Sequence, residues 1–87
     1  MNLEQERINI LQAAVEQRSR DVMLHQINID NFEQAIAAIG SDADENMRAF
    51  ADELAGRLKT EREQQAREQL LLSVITKQLE AVDVCPA

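Results

Sequence analysis

Ile8, Leu11, Val15, Arg18, Val22, His25, Ile29, Phe32, Ile36 and Ile39 follow an unbroken alternation of three- and four-residue steps. Every residue in one register of this series (Ile8, Val15, Val22, Ile29, Ile36) is β-branched and apolar. A seven-residue repeat held that long is the seam of a coiled coil or helical bundle, because it keeps one narrow face of a helix turned toward a partner. A second series repeats the pattern: Met47, Ala51, Leu54, Leu58, Glu61, Gln65, Glu68, Leu72, Ile75, Leu79 and Val82. With only 87 residues, two glycines and one proline, the chain is one small domain of all-α class. It lacks the turn residues and the aromatic, β-branched strands that a sandwich or barrel requires.

The expected architecture is an antiparallel two-helix hairpin, with long helices over about 3–39 and 42–83, a turn at 40–41 and a short tail at 84–87. Asn2 followed by Gln5 supplies an N-cap and its reciprocal partner. Gly40 is placed to end the first helix in a left-handed C-cap. Ser41 and Asp42 can each cap the second helix, with Asp44 or Glu45 as partner. Asp30 and Glu33 form a competing capping pair that would split the first helix near 28–31. The seam crosses Ile29 and Phe32 without a phase change, which favours continuity. Each helix would then be about 35 residues and roughly 50 Å long.

A short connection makes the helices antiparallel neighbours. Folding about Ser41–Asp42 sets Ile36 near Met47, Ile29 near Leu54 and Leu58, and Ile8 near Ile75. Both seams turn polar at the same height, where Arg18 and His25 meet Glu61, Gln65 and Glu68. Arg18 against Glu61 or Glu68 is a charge-compatible layer between apolar ends, and such layers set register. The rival assignment for this layer, a pocket or pH-sensitive switch around His25, lacks a second catalytic group to work with.

One hairpin does not use all the apolar surface. Met23, Leu24 and Ile27 lie off the first seam, and Leu70, Leu71 and Val74 lie off the second; Leu3, Ile10 and Phe50 are further cases. The expectation is that these residues form a second interface, through which two copies build a four-helix bundle or a larger protein partner docks.

Chemistry is sparse. Asp42, Asp44, Asn46 and Glu53 stand at positions 1, 3, 5 and 12 of a calcium-loop pattern, but Met47 replaces the required glycine, so acidic helix capping is the reading adopted. His25 is the one imidazole and Cys85 the one thiol, so neither a metal site nor an internal disulfide is expected. Gly40 and Gly56 are isolated and cannot cradle a phosphate; Gly56 is expected to permit close approach of a neighbouring helix or to mark a slight bend. No catalytic residue, metal ligand or cofactor is assigned, and the chain is read as non-enzymatic.

The net charge of −7 disfavours binding to a phosphate backbone. Arg57, Lys59, Arg62 and Arg67 nevertheless make a local basic stretch, interleaved with Glu61, Glu63 and Glu68. A nucleic-acid-binding hairpin dimer, or an acidic DNA mimic, is therefore the alternative to a protein-binding module. Nearly half of the net negative charge (Asp42, Asp44, Glu45) gathers in residues 40–46, where it complements a helix N-terminus. Apolar runs are too short for a membrane helix, and the N-terminal residues lack the basic start and apolar stretch of a secretory signal. The expected location is the cytoplasm.

This Gln- and Glu-rich helical chain, across Met1–Ile39 and Glu61–Val82, resembles the small accessory proteins of temperate bacteriophages. The resemblance is one of overall style and rests on no diagnostic motif. It implies a regulatory role exercised by binding a host or phage protein, and it transfers no site residues.

Overall fold

The computed structural model describes residues 2–83, which form two helices, α1 (Leu3–Ile39) and α2 (Glu45–Asp83), packed side by side as a hairpin. Its extents are 66 × 18 × 15 Å and its radius of gyration is 19.5 Å. A globule of this length would have a radius of gyration of roughly 12 Å. The molecule is a rod two helices thick.

Helix α1 runs without a break through Asn28–Asn31. Asp30 does not cap a new helix; its carboxylate accepts from Gln26 Nε2 at 3.0 Å on the outer surface. At the N-terminus, Asn2 Oδ1 accepts from the backbone N–H groups of Glu4 (3.0 Å) and Gln5 (3.2 Å). The cap is as expected, but the Gln5 side chain turns forward to Asn9 Oδ1 at 3.0 Å instead of back to Asn2. That i,i+4 bond is the local alternative an amide side chain has on a helix surface.

The turn differs more. Gly40 has the positive φ that favours glycine, at 72°, but its ψ of 175° makes it extended, not left-handed helical. It donates its N–H to Ile36 O and then carries the chain away from α1. Residues 40–44 therefore make the connection, and α2 begins at Glu45, not near 42. Ser41 and Asp42 are consumed in reversing the chain, and the cap falls to Asp44, whose Oδ1 accepts from Met47 N at 2.9 Å. Arg48 closes the turn by donating Nε–H to Ala43 O at 2.9 Å. The expected end of α2 near Val84, the Pro86 stop and Cys85 lie outside the described residues.

Burial follows the first seam along its whole length: each of its residues is half-buried, and Ile29 is buried. The second seam does the same from Ala51 to Val82, with Leu54 and Leu58 buried. Met47 is the exception, 43% exposed. The longer connection explains it. The cross-helix bonds Arg18–Glu68 and His25–Glu61 set a register in which Ile36 lies level with Phe50 and Ala51, and Ile8 with Leu79. The expected pairings of Ile36 with Met47 and Ile8 with Ile75 are thus about one helical turn out. Met47 is left level with Ile39, the last residue of α1, where the chain turns away.

Candidate interaction surface and interhelical polar layer

Seam residues in the middle of the rod are polar on both helices, and the hairpin brings them together. Arg18 Nη1 donates to Glu68 Oε2 at 2.8 Å, and His25 Nδ1 meets Glu61 Oε2 at 2.6 Å. A carboxylate can only accept, so Nδ1 is the ring nitrogen that carries hydrogen in this contact. Between these pairs, Gln65 Nε2 donates to Gln26 Oε1 at 2.9 Å and to the Val22 carbonyl at 3.3 Å. All five residues expected in the layer are in it, and Glu68, not Glu61, is the partner of Arg18. Gln26 is an addition; its place beside the seam hides it from a count of seam positions alone.

The layer satisfies itself. Among the described residues no buried side-chain nitrogen or oxygen lacks a hydrogen-bond partner. Its two carboxylates are both engaged, Glu68 by the Arg18 guanidinium and Glu61 by the His25 imidazole. A shallow open groove lies beside it, lined by Phe32, Glu53, Gly56, Arg57, Thr60, Gln64 and Glu61 of the layer itself. A Cβ added at Gly56 would meet nothing within 4 Å, so this glycine is not there to admit a neighbouring helix. The residues of the calcium-like pattern are dispersed: Asp44 caps α2, and Glu53 pairs with Arg57 at 2.9 Å.

The basic stretch is partly neutralised. Arg57 is held by Glu53, and Arg62 by Glu33 across the helices at 2.8 Å. Lys59 and Arg67 form no ion pair among the described residues. Among the described residues no helix is long and apolar enough to cross a membrane.

The residues expected in a second interface are all exposed: Met23, Leu24, Ile27, Leu70, Leu71 and Val74. They do not share one face. A two-helix rod has two broad sides, and helical periodicity assigns each residue to one of them. One side carries Gln12, Ser19, Gln26 and Glu33 from α1 with Arg62 and Gln69 from α2, and is polar; the Glu33–Arg62 bridge spans it. The other side carries Leu24, Leu71 and Val74, together with Ile10 and Phe50. Ile27 and Leu70 point away from the partner helix on the backs of α1 and α2, and Met23 sits on the polar shoulder. The apolar surface is therefore concentrated on one side more than the sequence count alone suggests. No family model matches the chain, and no curated protein or solved structure is similar to it.

Proposed function

We propose that this chain is a non-enzymatic protein-interaction module, a helical hairpin that completes its apolar core by self-associating and acts as an accessory or regulatory protein through the protein surfaces it binds. One observation carries the reading. Among the described residues only Ile29, Leu54 and Leu58 are buried hydrophobics, whereas Ile10, Leu24, Phe50, Leu71 and Val74 are exposed along one side. Apolar burial is the main favourable term in folding. A rod that buries so little and leaves so much uncovered gains stability by covering that side with another chain.

Self-association comes first because the helices already have the heptad seams and small radius from which four-helix bundles are built. A role on a host or phage protein would use the same side or the bundle's outer surface. Sedimentation equilibrium combined with thermal melts across a hundredfold range of concentration tests the reading. The expected result is a discrete dimer whose melting temperature rises with concentration. A sharply melting monomer with a concentration-independent midpoint would remove its basis.

A further inference from the structure

The apolar side of the rod is patterned, and its pattern fits itself when reversed. We infer that a second copy of this chain docks on it in antiparallel fashion, about a twofold axis at Leu24 that runs across the rod. This inference rests on the self-association reading above and adds the face, the direction and the pairing.

The starting point is the row just before the β-branched seam of α1: Ala14, Asp21, Asn28 and Ala35, all half-buried. Level with them on α2, in the register set by Arg18–Glu68 and His25–Glu61, stand Leu71, Gln64, Arg57 and Phe50. The side thus has an apolar layer at each end (Ala14 with Leu71, Ala35 with Phe50) and two polar layers between. The end layers are three heptads, or roughly 31 Å, apart. Leu24, 56% exposed, stands midway between them on the outer row of α1.

Turning a second copy end for end about Leu24 places Leu24 against Leu24 of the other copy. On α1 the same operation sets Ile10 on Ala38, Ala14 on Ala35, and Gln17 on Asn31. Every match is apolar on apolar or polar on polar. On α2 it sets Phe50 on Leu71, Thr60 on Thr60, Arg67 on Glu53 and, as the one apolar-on-polar match, Val74 on Asn46. Arg67 forms no ion pair within its own chain among the described residues, and here it gains an opposite charge.

Charge also selects the direction. A dimer with both turns at one end matches the same apolar layers, but it converges Asp21 on Asp21 and Arg57 on Arg57 at the bundle axis. It also brings together two turns that each carry Asp42, Asp44 and Glu45. The reversed arrangement puts Asp21 in the layer of the other copy's Arg57 and sends the acidic turns to opposite ends of the rod. Like charges at an interface oppose association and opposite charges fix register.

Cross-linking of the full chain tests this directly. In a Cys85→Ser background, Leu24→Cys should yield a disulfide-linked dimer in high yield under mild oxidation. A mixture of Ile10→Cys and Ala38→Cys chains should yield the mixed dimer, and Ser19→Cys, on the polar side, should remain uncrosslinked. Glu53→Arg and Arg67→Glu, each checked for retained helicity, should weaken the dimer about tenfold, since each change disturbs two symmetry-related pairs, and the double swap should restore it. A dimer that neither links through Leu24 nor responds to the charge reversals would overturn this interface and leave self-association standing. A monomer at every concentration would overturn both.

Discussion

His25 Nδ1 lies 2.6 Å from Glu61 Oε2, and the two side chains are only 19% and 18% exposed. The Glu33–Arg62 bridge, on the polar side of the same rod, joins side chains that are 49% and 58% exposed. Both are cross-helix contacts of an acid with a nitrogen donor, but they differ in how much water surrounds them and in that the guanidinium is always cationic whereas the imidazole is so only when protonated. A double-mutant cycle isolates each contact. Coupling between His25→Ala and Glu61→Ala should be about 1–2 kcal/mol, and between Glu33→Ala and Arg62→Ala below about 0.5 kcal/mol. Chemical denaturation of the single and double variants provides the comparison. Equal couplings would mean that lower exposure gives the His25–Glu61 contact no advantage over a fully charged pair at the surface.

Capping of α2 depends on Asp44. Asp44→Ala should lower stability by about 1 kcal/mol, or roughly 4–8 °C in melting temperature, by stripping the Met47 N–H of its acceptor. Asp42→Ala should change stability by less than about 0.5 kcal/mol. Thermal melts of the two variants at matched concentration distinguish the roles, and a larger effect at Asp42 would move the cap back into the turn.

The two glycines should respond in opposite directions to alanine. Gly56 is helical and its missing Cβ faces open space, so Gly56→Ala should stabilise by about 0.5–1 kcal/mol through helix propensity. Gly40 also has room, but its φ of +72° strains any L side chain. Gly40→Ala should therefore destabilise, by about 1 kcal/mol or more. Urea midpoints with unchanged slopes would report both effects cleanly.

Truncation should separate the core from the back of the rod. Leu58→Ala removes a side chain that is 8% exposed and should cost about 2–4 kcal/mol. Leu70→Ala removes one that is 64% exposed and points away from α1, and should fall within about 0.5 kcal/mol of the parent. Far-UV circular dichroism during urea unfolding measures both, and a large loss at Leu70 would mean that the back of α2 is covered.

The seams and the polar layer were readable in the residues because helical periodicity is a local, repeating rule. It placed Ile8 through Ile39 on one face and predicted that Arg18 and His25 would meet Glu61, Gln65 and Glu68. The turn was not readable to the same precision. Ser41, Asp42 and Asp44 are all competent caps, and the choice among them is made by the backbone path after Gly40. That choice moved the register by about one turn and exposed Met47. The division of exposed residues was hidden for a related reason. Off-seam position shows that Met23, Leu24 and Ile27 are outside the core, but the side each occupies depends on where α2 lies. Only the packed hairpin separates Leu24 from its neighbours.

Ile29, Leu54 and Leu58 all lie in the half of the rod nearer the turn. The hairpin is therefore held most firmly around these three residues, on the turn side of its middle, whereas seam residues toward either end, such as Ile36 and Ala51 or Ile8 and Leu79, are only half-buried. Because every cross-helix contact nests around one connection, opening is expected to progress as unzipping from the termini, with amide exchange fastest near the open end and slowest around Leu54. A free rod of this kind is a stiff stem with a fraying fork. The proposed end-for-end dimer would set the more deeply buried half of each copy beside the open half of the other, so that each chain would splint its partner where that partner is weakest.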